Sequence, residues 1–252
     1  KEKWRGKSPK RIADEFEFCY ENYGSRFLWL TDDNFGLGKR AGDLCDEIIR
    51  RGFSDDLMWF MQVRCDDVAK HHDLLPKMQK SGLRWVLMGV ESHNPSTLEV
   101  FKKKSSPENA KEAVKLLHEN DMFAQAMFII GERKDSAESI AGLREFANDI
   151  DPDLAIFAIL TPFPGTEVFE EAKRNGWIED WNWANYDMVH AIMPTETLSR
   201  QEVQEELYNC YRSFFGSWSR RFRGLFSRKE IKRRVYWHMA ARGIVNQFRT
   251  LF

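Results

Sequence analysis

Cysteine is sparse in this 252-residue chain: Cys19, Cys45, Cys65 and Cys210 are scattered with no CxxC or CxxxCxxC spacing, so no metal centre built from cysteines is visible in it. Reduced thiols in the cytoplasm are the expectation for a chain of this size. Long apolar runs are lacking as well. Stretches such as LAIFAIL, Leu154 to Leu160, fall far short of the about 20 residues that a membrane-spanning helix needs. Net charge nearly vanishes, with 38 Lys and Arg against 39 Asp and Glu, so no global field points to nucleic acid. The start is polar and charged, without the pattern of a secretory leader. A first residue Lys1 in place of Met, with a helix lead-in directly behind it, reads as a piece of a longer protein.

What the chain does contain is one plan repeated. Ser8-Pro9 starts a helix whose Ile12, Phe16, Cys19 and Tyr23 recur at helical spacing up to Gly24. A buried strand, Phe27 to Thr31, follows. A helix over Lys39 to Arg51 leads through Gly52 to a strand MWFMQV that ends at Arg64. A third helix, about Asp73 to Ser81, leads through Gly82 to LRWVLMGVES, Leu83 to Ser92, an apolar run stopped by a glycine and a polar pair. Ser106-Pro107 opens the next helix, before a strand over Phe123 to Ile130. Asp135 with Glu138 has the spacing of a capping box for the helix ahead of the last strand, Leu154 to Leu160. Helix then strand, five times over, gives an α/β fold with parallel strands, as a barrel or an open sheet. Because the chain begins with a helix, the expectation is a partial parallel (β/α) barrel that lacks its first strand, leaving the strand at Phe27 with an open edge.

Residues just after the strand ends share one rim of such a sheet, the rim where ligands bind. That set is Asp32, Asp33, Asn34, Arg64, Asp66, Glu91, Ser92, His93, Gly131, Glu132 and the turn from Thr161 to Thr166. Strand-to-helix loops are polar in any case, and an Asp or Ser there often only caps the next helix. Their coincidence on one rim is what favours a site.

The order TDDNF, Arg64, GVES, FIIG and TPFPGT resembles the radical S-adenosylmethionine (SAM) superfamily over about Ser8 to Ser199. More narrowly it is similar to the cobalamin-binding class, near the anaerobic magnesium-protoporphyrin IX monomethyl ester oxidative cyclases. The resemblance implies a barrel of the radical SAM type over residues 1–195; the sequence pattern beyond it reads as a helical, basic and aromatic extension over 196–252. It implies that Asp32, Asp33 and Asn34 hold the methionyl amino group of SAM. Arg64 would hold the methionyl carboxylate, for which a planar guanidinium is suited. Glu91 and Ser92 would hold the ribose, while Ile129, Ile130 and Gly131 lie beside the adenine. The turn with Pro162 and Thr166 would close the pocket. The cofactor so implied is SAM, with a [4Fe-4S] cluster and cobalamin expected only in an intact parent. There the cluster reduces SAM to methionine and a radical that abstracts hydrogen from a small-molecule substrate, a tetrapyrrole-like one by resemblance.

One departure stands out. The family holds its cluster with CxxxCxxC, which this sequence lacks, so the expectation is a SAM-binding core that takes up no iron and is inactive by itself. Three functions remain open: the core of an oxidative cyclase, the core of a SAM and cobalamin methyltransferase, and a non-catalytic interaction module.

The remaining candidates are weaker. His71-His72 reads as solvated, since neighbours on a helix face apart. His93, His190 and Trp183 are candidates for substrate contact, within a loop rich in tryptophan (Trp177, Trp181, Trp183) that ordinary packing explains equally well. From Ser217 to Phe252 there are ten Lys and Arg and a single acid, Glu230. That tail reads as a solvated helix pair docked on the barrel, as a weak membrane-surface contact, or, third, as a nucleic-acid binder, which no recognised fold accompanies.

Overall fold

A computed structural model describes residues 6–103 and 105–249 of the chain. The outermost positions of the two expected segments, 1–5 and 250–252, and Lys104 lie outside the described residues. Five strands, β1 (Phe27–Leu30), β2 (Met58–Arg64), β3 (Leu83–Glu91), β4 (Phe123–Ile130) and β5 (Leu154–Ile159), form one parallel sheet in the order β1-β2-β3-β4-β5. The helices are α1 (Pro9–Tyr23), α2 (Lys39–Arg51), α3 (Cys65–Lys70), α4 (Leu75–Lys80), α5 (Pro95–Val100), α6 (Pro107–Glu119), α7 (Ala137–Ile150), α8 (Glu167–Arg174), α9 (Arg200–Gly216), α10 (Trp218–Leu225) and α11 (Glu230–Arg249). The alternation expected from the sequence is therefore present. The chain divides into two compact units, Lys1–Gly89 with Glu108–Gln125 and Val90–Pro107 with Ala126–Phe252.

In the first unit, β2 alternates: Trp59, Met61 and Val63 are buried, whereas Met58, Phe60, Gln62 and Arg64 are half-buried. The buried side meets α1, whose Phe16 ring lies 6.1 Å from that of Trp59. Ser8 caps α1, and α2 is held to it by Arg51, whose guanidinium pairs with Asp14 and Glu17, each at 2.6 Å. Gly82 requires its lack of a side chain: a Cβ there would lie 2.4 Å from the Leu57 carbonyl oxygen, at φ +95°.

Two expectations need correction in this unit. The Phe27 strand is not buried: Phe27 and Trp29 are 47% and 55% exposed, because β1 is an edge strand with β2 as its neighbour among the described residues. The other face of β2 carries the half-buried Gln62 and Arg64. The helix expected over about Asp73 to Ser81 is broken up: α3 begins earlier, a single 3-10 turn spans His72–Leu74, and α4 follows with Pro76 in its first turn. Proline cannot donate to a preceding turn, so it starts a helix better than it continues one.

In the second unit, the edge of β5 is covered. The Tyr211 hydroxyl of α9 donates to the Phe157 carbonyl (2.9 Å) and accepts from the Phe157 N–H (3.2 Å). The Ile159 N–H donates to the Met188 carbonyl at 2.8 Å. These contacts satisfy groups that an open edge would leave ready for pairing. The α7 cap is not the expected Asp135 and Glu138. Ser136 is the N-cap and closes a reciprocal box with Ser139, because Asp135 is used elsewhere: its carboxylate accepts from Glu132 N–H and the Ser139 hydroxyl. Ser199 and Glu202 form a reciprocal capping box for α9.

Candidate active site at the strand ends

In the first unit the loop after β1 carries Asp32, Asp33 and Asn34, all exposed, with no side-chain hydrogen bond to another described residue. The loop is tied down just beyond them: Phe35 is buried and its N–H donates to the Gln62 carbonyl at 3.2 Å. Two carboxylates and an amide thus stand at the end of β1 on a fixed base. At the end of β2, Arg64 makes a two-pronged pair with Asp66, Nε to Oδ1 and Nη2 to Oδ2, each 2.8 Å. The Arg64 guanidinium so placed holds the Asp66 carboxyl below its ordinary pKa. That pair fixes the plane of the fork and leaves Nη1 without a partner among the described residues, a donor ready for a second carboxylate.

In the second unit the end of β3 is a backbone outlier. Glu91 has φ +65°, and the Ser92 N–H donates across it to the Val90 carbonyl at 2.9 Å. A non-glycine residue in that region costs on the order of 1–3 kcal/mol, and such strain concentrates at ligand sites. The Glu91 carboxylate is 9% exposed and pairs with Lys103 Nζ at 2.7 Å. Ser92, also buried, accepts from the Asn94 N–H at 3.1 Å. His93 packs edge-on to α7, where a Cβ on Gly142 would lie 2.8 Å from its Nε2, and burial lowers its pKa.

At the end of β4, Ile129 is half-buried and Ile130 buried, with the Ile130 carbonyl accepting from the Leu160 N–H at 2.8 Å. Gly131 turns the chain at φ +81°, where a Cβ would sit 3.2 Å from Val203 and 3.3 Å from Ile159. Glu132 is buried and accepts from Lys134 N–H at 2.8 Å. Burial pushes the pKa of Asp135 beside it up. After β5, Pro162 is buried, and Thr166 caps α8: its hydroxyl donates to the Phe163 carbonyl (2.7 Å) and accepts from the Phe169 N–H (3.1 Å).

The proposed substrate contacts are more dispersed. Trp183 is 56% exposed and lies 4.7 Å from the Tyr186 ring. His190 is exposed, with Nδ1 2.8 Å from the Asp187 carboxylate. Sequence reasoning missed Lys103 as the partner of Glu91, since nothing in a charged stretch marks one lysine over its neighbours. It also missed the role of Asp66, for which the Arg-x-Asp spacing at a strand end was an available signal.

Among the described residues the cysteines do not form a donor set for the iron-sulfur cluster that the resemblance implies. Cys45, Cys65 and Cys210 are buried, burial raises the thiols of Cys45 and Cys210 to about 11 and about 12, and no group of three or more His, Cys, Asp or Glu among the described residues could hold a metal ion.

One sheet of five parallel strands, with helices between them, defines an α/β protein. A profile described as the Radical SAM superfamily matches residues 1–147. The chain is 32% identical over 213 residues to the anaerobic magnesium-protoporphyrin IX monomethyl ester cyclase of Cereibacter sphaeroides, covering 84% of this chain and 34% of that protein. It is 30% identical over 214 residues to an uncharacterised methyltransferase of Pyrococcus horikoshii, covering 84% of this chain and 46% of that one. The radical SAM methyltransferase TsrM of Kitasatospora setae, solved with cobalamin and a [4Fe-4S] cluster bound, superimposes with a TM-score of 0.60 at 18% identity over 79% of this chain and 38% of that chain. The chain belongs to the radical SAM superfamily, and it spans about a third to a half of the length of these relatives.

Proposed function

We propose that the chain is the SAM-binding core of a cobalamin-class radical SAM enzyme that acts on a tetrapyrrole. Membership of the superfamily, together with the strained turn that fixes Glu91, carries this reading. Asp32, Asp33 and Asn34 accept hydrogen bonds from the methionyl ammonium, as unpartnered acceptors at a strand end can. Arg64, oriented by Asp66, offers Nη1 to the methionyl carboxylate. Glu91 and Ser92 take the ribose hydroxyls, with Lys103 holding the Glu91 carboxylate in place. Ile129, Ile130 and Gly131 flank the adenine, with Pro162 and Thr166 beyond it. His93, Trp183 and His190 are the proposed substrate contacts. When bound, SAM supplies the reactive adenosyl or methyl group, and the share of these residues is binding, orientation and exclusion of water. Cobalamin and the cluster are proposed for the intact enzyme alone.

The cyclase reading follows the Cereibacter sphaeroides relative, whose name specifies the tetrapyrrole ester. A methyltransferase reading is kept because the Pyrococcus horikoshii relative is named as one at nearly the same identity. Barrels of one family serve many substrates, so chemistry must decide. Product analysis on the intact enzyme with methyl-labelled SAM separates the two: label in the product assigns a methyltransferase, and an unlabelled, oxidised product assigns a cyclase. Failure of the chain to bind SAM would overturn both.

A further inference from the structure

We propose that the outward side of α10, with the start of α11, seats on an anionic lipid surface. The inner side of these helices is already occupied. Arg220, 5% exposed, stacks on the Phe214 ring at 3.7 Å, pairs with Asp151, and donates to the Asn148 side chain at 3.2 Å. Lys232 pairs with Asp153 at 2.7 Å, and the buried Tyr236 hydroxyl donates to the Asp153 carbonyl at 3.2 Å. Gly224 admits the Tyr236 ring, since a Cβ there would collide with it. The helix pair is thus docked by its charged and tyrosine side, inverting the usual arrangement in which a surface helix buries its apolar stripe.

The apolar stripe faces out instead. Trp218, Phe222 and Phe226 follow one another at helical spacing and are 70%, 56% and 70% exposed. Ring centroids lie 6.3 Å apart for Trp218 and Phe222, tilted, and 6.2 Å for Phe222 and Phe226, stacked, so the three form a continuous ridge. Trp237, 54% exposed, joins its end through an indole N–H donated to the Leu225 carbonyl at 3.1 Å. Contiguous exposed aromatics of this kind mark an interaction face.

Charge selects the occupant. The inner cations, Arg220 and Lys232, are neutralised by Asp151 and Asp153, whereas Arg221, Arg228 and Arg233 are exposed and meet no carboxylate among the described residues. Arg221 lies over the Trp218 ring at 5.4 Å, so a guanidinium borders the ridge. Tryptophan and phenylalanine beside arginines suit the interface of a bilayer, where rings enter the headgroup region and cations meet anionic lipid. No helix among the described residues is long and apolar enough to cross a membrane, so the contact is one of lying on the surface.

Sedimentation of the full chain with vesicles tests this. With phosphatidylglycerol and phosphatidylcholine mixed, the chain pellets with the vesicles at low salt and is released as salt shortens the screening length. With pure phosphatidylcholine it stays in solution. Trp218→Ala, Phe222→Ala and Phe226→Ala together abolish pelleting without lowering the melting temperature, since these side chains are exposed. Arg228→Gln and Arg233→Gln each weaken it about fivefold. Wild-type chain remaining in solution with anionic vesicles, or pelleting unchanged in the triple variant, overturns the inference. Sedimentation velocity that shows a dimer lost in the triple variant, with no lipid binding, assigns the ridge to a second copy and overturns it as well.

Discussion

Glu91 tests whether the strain at the end of β3 belongs to the site. Its φ of +65° costs about 1–2 kcal/mol for any residue with a side chain. Glu91→Ala keeps that cost and loses the ion pair to Lys103; with the lysine side chain 35% exposed, the loss is about 1 kcal/mol. Glu91→Gly loses the same pair but relieves the backbone, less the about 0.5–1 kcal/mol of extra chain entropy that glycine carries. The expectation is therefore a melting temperature about 2–4 °C lower for the alanine variant, and one near wild type for the glycine variant. Both variants lose SAM affinity alike, because both lack the carboxylate. Thermal denaturation followed by circular dichroism, beside SAM titration, reads both quantities. A glycine variant no more stable than the alanine variant would refute the strain, and full SAM affinity in the glycine variant would refute the role of the carboxylate.

Other outcomes follow from the same geometry. Gly131→Ala places a methyl against Val203 and Ile159 at positive φ, and should cost about 1–3 kcal/mol in urea denaturation. Arg220→Ala removes a buried guanidinium, but Asp151, 34% exposed, keeps Arg223 at 3.1 Å, so the cost should be about 1–3 kcal/mol in urea denaturation. Burial raises Tyr236 from 10.0 to about 12, so its contribution is whole below pH 10 and is lost as pH climbs toward 12; Tyr236→Phe should flatten the fall in stability over that window. Iodoacetamide at pH 8 should label Cys19 in the folded chain ahead of Cys45 and Cys210, whose buried thiols stay protonated, as peptide mass mapping would show.

Much of the fold was legible because its punctuation is local. Gly24, Gly52, Gly82 and Gly131 stop their elements at positive φ, and Ser8 and Ser199 cap where their spacing says. What was hidden depends on partners distant in sequence. The cap of α7 moved to Ser136 because Asp135 is taken up by Glu132 and Ser139, and no i, i+3 rule contains that competition. The exposure of Phe27 and Trp29 follows from the position of β1 at the sheet edge, which strand composition does not encode. Of the site, the polar strand ends were readable as residue types. The left-handed backbone at Glu91 was not, since glutamate carries no preference for it, and the Lys103 pairing needed the chain to fold back.

The central claim, that these strand ends hold SAM, is tested most directly by calorimetric titration of the full chain and of its Asp33→Ala and Glu91→Ala variants with SAM. Saturable binding by the wild type, weakened about tenfold or more in each variant as loss of a charged hydrogen-bond partner requires, is the predicted result. Equal affinity in all three proteins, or no binding by the wild type, would contradict it.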